Sequence, residues 1–240
     1  MIETVGRYRI LEPVGRGLLG GLYRARDTSS GRTISLRIVS DAIAGDDGQR
    51  QALAAAARVV ETISHPNVAV LYELVQEADR LALAWEFVPG ATLAAGIGAG
   101  PINPRLAAQL AAQMADALAE THAAGLSHGR LDPRSVIVTP KGSAKLIDVG
   151  FARWSAPIDK EYAAPELAAG SAADERADIF ALGGIVQAMI TGRPPRPALA
   201  AAPAPSDRLG AIVLKARARN AEHRWQSAAV FAAELRAVSV

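Results

Sequence analysis

The chain changes its hydrophobic period once, and that change decides which folds are open to it. Up to residue 88 apolar residues alternate with polar ones between turn signals, the pattern of half-buried strands. "YRILEPVGRG" (8–17) and "GLYRARDTSSGRTISLRIVS" (21–40) read as strands, the second segment folded back at "TSSG". Residues 49–63 read as a helix that His65-Pro66-Asn67 stops. Two more strands follow, "VAVLYELVQE" (68–77) and "RLALAWEFV" (80–88). After "PGATL" (89–93) the period becomes helical. Asn103 caps a long amphipathic helix, Pro104 opens it and Gly125 ends it. A short strand pair, "SVIVTP" and "AKLIDVG", flanks a turn at Lys141-Gly142. Further helices are expected near 177–191, 207–218 and 226–237, with a Pro/Ala loop at 194–205. The expectation is an α+β fold, a small β-rich part followed by a larger helical one, with no internal repeat.

Composition removes several classes of function. Half of the 240 residues are hydrophobic and 21% are charged, so a packed core is expected. A net charge of +2 gives no footprint for nucleic acid. No cysteine is present, which excludes a disulfide framework and a cysteine zinc site. His65, His122, His128 and His223 are too scattered for a metal cluster. "MIETVGRYRI" lacks the apolar stretch of a signal peptide, and "IFALGGIVQAMITG" (179–192) is too short to span a bilayer. A cytoplasmic chain is expected, with membrane attachment only through a segment not in this sequence.

Several stretches, taken in order, resemble the protein kinase family, and within it the bacterial Ser/Thr kinases. "VGRGLLGGLYRA" looks like the Gly-rich loop, with Gly15, Gly17 and Gly20 in place. "HPN", "WEFVPG", "HGRLDP", "KLIDVG", "YAAPE", "ADIFALGGIV" and "EHRWQSA" then follow in family order over nearly the whole chain. The resemblance implies one bilobal protein-kinase-like domain, 1–240, with a β-rich N-lobe at 1–88 and a helical C-lobe at 89–240.

Phosphoryl transfer needs positioned charges, metal ligands and a carboxylate to accept the substrate proton. By the resemblance, Arg37 stands where the family has its phosphate-binding Lys, and no Lys occurs before residue 141. Arginine keeps the charge but not the compact ammonium. The partner Glu falls at Ala56, and Glu61 lies about 140° further round the helix. The proton-accepting Asp becomes Arg130, the second metal-binding Asn becomes Ser135, and the phosphate-facing Lys becomes Asp132. Asp148 keeps the other metal-ligand position. Scaffold positions survive: His128 in the core, Asp178 gripping the loop backbone, and Glu166 with Arg224 as a buried ion pair. Trp85 reads as core filler. The segment 151–163 is short for the family and its hydroxyls are Ser155 and Tyr162.

These losses point to a catalytically inactive pseudokinase, a protein-binding scaffold or allosteric regulator in bacterial signalling or envelope assembly. Its partner would be a protein, met at the Ala-rich helix near 51–60 or at the short activation segment. On this reading the chain is no enzyme and needs no metal or cofactor. ATP binding is weak at most, through Gly15, Gly17, Gly20 and Asp148, and Asp148 fills the site by an ion pair with Arg37 or Arg130. Two other readings stay open. One is a nucleotide-sensing switch. The other is an unorthodox nucleotide-using transferase with Asp148 and Asp132 as its acidic pair.

Overall fold

A computed structural model describes the chain except for residues 1–3, 18, 78–79, 155–157, 169, 171, 173, 196–206 and 240. Most of the expected Pro/Ala loop, and Ser155, lie outside the described residues. The chain forms two compact units: residues 1–64, 68–88 and 150–156 in the first, 65–67, 89–149 and 157–240 in the second.

The first unit is built on a six-stranded sheet. Its elements are β1 (Thr4–Val5), β2 (Tyr8–Gly17), β3 (Gly20–Asp27), β4 (Thr33–Val39), helices α1 (Asp41–Ala44) and α2 (Asp47–Val60), then β5 (Leu71–Glu77) and β6 (Arg80–Glu86). The order is β1-β2-β3-β4-β6-β5, with every pair antiparallel. Alternation along β2, β3 and β4 sends Tyr8, Ala25, Ile34 and Leu36 into one core with Ala82 and Ala84 of β6. The turn after β3 is drawn tight by Asp27, whose carboxylate accepts from the amides and hydroxyls of Ser29 and Ser30. Asp46 caps α2 by accepting from the amide of Gln49. Two bulges break the β2 ladder, between Ile10 and Glu12 and between Pro13 and Gly15. Their extra residues, Leu11 and Val14, are among the exposed large hydrophobic side chains.

The stretch after Gly150 returns to this unit. Phe151 meets Trp85 edge-on at 5.6 Å, and the buried Trp154 donates its indole N–H to Gln49 at the start of α2, 2.8 Å away.

The second unit is mainly helical. After β7 (Ala91–Thr92) come α3 (Leu93–Gly98), α4 (Pro104–Ala123), β8 (Val136–Val138), β9 (Ala144–Leu146), α5 (Pro165–Ala168), α6 (Glu175–Thr191), α7 (Arg208–Ala216) and α8 (Ala228–Ser239). β7, β8 and β9 form a small antiparallel sheet. Asn103 caps α4 and Pro104 takes its first position; Gly125, at φ +75°, follows its end. α6 is apolar nearly all round and buried from Ala177 to Val186, so it forms the centre of the unit. It ends at Gly192 in the left-handed region, where a Cβ would lie 2.9 Å from the nitrogen of Pro101. No helix of the described residues is long and apolar enough to cross a membrane.

Candidate functional site

Each of the two units carries candidate functional residues of its own. In the first, Gly17 and Gly20 pair across the tip of the β2–β3 hairpin. Gly20 has φ +144°, and a Cβ there would come within 1.8 Å of the carbonyl oxygen of Ile38, so only glycine fits. Gly15 meets no such constraint, since nothing lies within 4 Å of its Cβ position. Arg37 sits on β4 between Leu22 of β3 and Leu83 of β6. Its Nη1 lies 3.6 Å from where a Gly17 Cβ would stand, so the guanidinium reaches the glycine-rich turn. Ala56 is half-buried on α2 and offers no charge. Glu61 is engaged elsewhere, accepting from the amide of Leu74 at 3.2 Å. Trp85 is 5% exposed and packed in the core.

In the second unit the loop 128–135 hangs from one carboxylate. Asp178, on the first turn of α6 and 1% exposed, accepts from the amides of His128 at 2.7 Å and Gly129 at 2.8 Å. It also meets Nε2 of His122 at 2.9 Å. His128 is buried, with Nε2 3.2 Å from the carbonyl of Ile147. Asp132, a degenerate position by the resemblance and half of the acidic pair in the transferase reading, caps its own turn. It is 3% exposed, and its carboxylate accepts from the amide of Arg134 at 2.7 Å and from the Arg134 guanidinium at 2.6 Å. The Ser135 hydroxyl accepts from the Asp132 amide and donates to the Asp132 carbonyl, closing a capping box over the turn 133–135. Arg134 also reaches Asp159 at 3.2 Å.

Asp148 is the one non-glycine residue at positive φ, 60°, among the described residues. Such strain concentrates where a side chain must be aimed. Burial pulls the Arg130 guanidinium below its ordinary value, while Asp132 and Asp148 favour its charged form. Arg130 makes no ion pair among the described contacts, so the expected plug is not made through it: Asp148 acts on Arg130 through its field.

Glu166 and Arg224 are brought together in the same unit. Arg224 donates Nη1 to one Glu166 oxygen at 2.6 Å and Nη2 to the other at 2.7 Å, and lies over the Phe180 ring. Burial alone would raise the Glu166 carboxyl, but the Arg224 hydrogen bonds hold it below the usual range.

Three polar groups were not singled out in the sequence: His122, Arg134 and Arg217. His122 lies one turn beyond Leu118 on the buried face of α4, so its helical phase marked it as interior. Arg217 is buried and lies over Phe180; burial, with the nearby Arg224 charge, brings its pKa down to about 10. The Asp-Pro pair at 132–133 carried the signature of a helical cap.

A nucleotide would suit the first unit, where a Cβ-free turn faces a cation. For a metal, no group of three acidic, His or Cys ligands exists among the described residues. Asp148 therefore fits only a magnesium ion that shares its coordination with phosphate oxygens, the usual habit of that ion.

Comparison with known proteins agrees. The protein kinase domain family model matches residues 8–232. The chain is 32% identical to the serine/threonine-protein kinase PknE of Mycobacterium bovis, covering 79% of this chain and 36% of that protein. It is 27% identical to the serine/threonine-protein kinase PrkC of Bacillus subtilis, covering 96% and 40%. It thus spans about two fifths or less of the length of these curated relatives. Among solved structures, the PknI kinase domain of Mycobacterium tuberculosis superposes with a TM-score of 0.82 at 23% identity, over 99% of this chain and 98% of that one. That likeness concerns the fold.

These findings correct two expectations. A chain that is no enzyme and takes no cofactor or metal does not agree with relatives named as serine/threonine kinases, which point to an enzyme and to ATP with a metal ion. The physical reason lies in the parts that remain. Backbone amides at a glycine turn, a cation beside it and one aimed carboxylate are independent of the side chains exchanged at 56, 130 and 135.

Proposed function

Because the chain belongs to the protein kinase family, whose domain model spans residues 8–232, we propose that it is a nucleotide-responsive regulatory domain of bacterial Ser/Thr kinase signalling. It takes ATP with a divalent metal and passes the bound state to a protein partner in the cytoplasm. The α+β kinase fold supports this reading. The observation that carries it is the Arg37 guanidinium lying against Gly17. It supplies positive charge beside the glycine-rich turn, whose backbone can approach a phosphate closely. Arginine offers a planar fork where the family has a point charge, so phosphate oxygens would be held in a different geometry.

Asp148 is the carboxylate suited to hold the metal on its phosphate-bound side. Bound ATP would supply the phosphoryl group and the charge that Arg37 answers. Arg130 cannot take a proton at neutral pH, and Asp132 is closed off by its own turn. Neither is offered as a base.

A second reading, a nucleotide-using transferase with an unorthodox catalytic set, is favoured by the names of the relatives. One experiment tests both. Thermal melting is followed with ATP, with and without Mg²⁺ or Mn²⁺, beside a labelled-phosphate turnover assay. A metal-dependent rise in melting temperature that Asp148→Ala removes supports nucleotide-dependent regulation, with or without turnover. Turnover lost in Asp148→Ala adds the transferase activity. No shift and no turnover refutes both.

A further inference from the structure

We propose that the exposed face of the β2–β3 hairpin around Arg9 and Arg26 is a docking surface for an acidic segment of a partner protein. The proposal rests on the reading above that the chain works through a protein partner, and it names the surface and the chemistry.

Charge is unevenly spread along the first unit. Residues 7–37 contain seven arginines and two carboxylates, Glu12 and Asp27. Both carboxylates are committed. Glu12 is bonded to Arg24 at 2.8 Å. Asp27 is buried and saturated by Ser29, Ser30 and Arg7, and the Ser29 hydroxyl bond leads in holding its carboxyl well below the ordinary range.

Arg9 and Arg26 are among the arginines left over, and they are the two that the ladder sets face to face. They are directly opposite in the antiparallel ladder, both exposed. Neither makes an ion pair among the described residues. Like charges facing across a strand pair destabilise a sheet. Both side chains are exposed and neither belongs to the core cluster of this sheet. A cation pair kept at that cost is explained by an anionic partner that relieves it.

The occupant favoured is a peptide carrying both carboxylates and an apolar side chain. Carboxylates pair with guanidinium forks in two parallel bonds. Leu11, the extra residue of the first β2 bulge, lies two positions beyond Arg9 and is 44% exposed, giving the apolar contact. A face that offers one opposed pair of cations is too weakly charged for a membrane, which takes clusters of about four to eight basic residues.

The test uses a fluorescein-labelled ten-residue peptide of alternating Glu and Leu, followed by anisotropy across a sodium chloride series. A labelled DNA oligonucleotide and phosphatidylserine vesicles serve as rival anions. The chain should bind the peptide, more weakly as salt rises. The double variant Arg9→Glu/Arg26→Glu should lose at least tenfold in affinity, and Leu11→Ser should lose severalfold. Arg50→Glu/Arg58→Glu on α2 should bind as the parent does. Melting of Arg9→Glu/Arg26→Glu checks that the hairpin is intact. Equal loss in the α2 variant, no loss in the hairpin variant, or tighter binding of DNA or vesicles overturns the proposal. The ATP-dependent melting shift should be the same in parent and hairpin variants, so failure here is separable from failure of the nucleotide reading.

Discussion

Replacing Arg224 by alanine removes the one cation that holds five acceptors together. Its side chain is fully buried. It donates to both Glu166 oxygens and to the carbonyls of Ala218, Arg176 and Arg219. Truncation leaves a carboxylate that is only 25% exposed without its partner. It also leaves three carbonyls short of a donor and takes from Phe180 one of the two guanidinium groups that lie over it. Breaking a buried pair in this way costs about 3–5 kcal/mol. For a chain of this length each kcal/mol lowers the midpoint by about 2–4 °C, so a fall on the order of 10 °C is expected. Glu166→Gln keeps an acceptor and should cost less. The pair also gives the parent a pH signature. The Glu166 carboxyl is held below its unfolded value of 4.5. Its contribution is therefore complete above that value and is lost as the pH falls through the lower, folded one. Differential scanning fluorimetry from pH 7 down to pH 3 reads both effects. An Arg224→Ala midpoint within error of the parent at pH 7 would refute the reasoning, as would an unchanged acid dependence.

Three further outcomes follow from local geometry. Gly20→Ala, which drives a Cβ into the Ile38 carbonyl, should abolish the ATP-induced melting shift, while Gly15→Ala, with open space around it, should keep it. Asp132→Ala should lose the cap over residues 133–135, a destabilisation of about 0.5–2 kcal/mol in urea unfolding; a variant as stable as the parent would return Asp132 to the list of reactive groups. Asp148 holds φ 60°, so Asp148→Gly should unfold at higher urea than Asp148→Ala, by about 1–2 kcal/mol.

Elements with a strong period or clear punctuation were legible in the sequence. β2 occupies the alternating run 8–17, and α4 begins at Pro104, after its Asn103 cap. α1, α3 and α5 are four to six residues long, too short for a helical period to register. The strand expected from residue 68 begins at Leu71, because the preceding residues run from the His65-Pro66-Asn67 turn. In the site, chemical identity was legible and engagement was not. Arg130 and Asp132 are two residues apart, yet one makes no ion pair among the described residues and the other is locked into a turn. That difference is decided by hydrogen bonds to residues up to the 135 amide and hydroxyl, and by burial, neither of which a residue pattern carries. His122 illustrates the same point: its pairing with Asp178 joins residues 56 positions apart.

The loop 128–135 is suspended by main-chain amides from Asp178, at the head of the most deeply buried helix. A path fixed in this way, and closed at its far end by Asp132 and Ser135, does not depend on the side chain at 130. Exchanges at 130 can accumulate in a lineage without unravelling the loop, so chemistry and architecture are inherited on separate accounts. An engineer could reintroduce a carboxylate at 130 and expect the backbone to receive it, whereas a single change at 178 would unseat every position downstream of it at once.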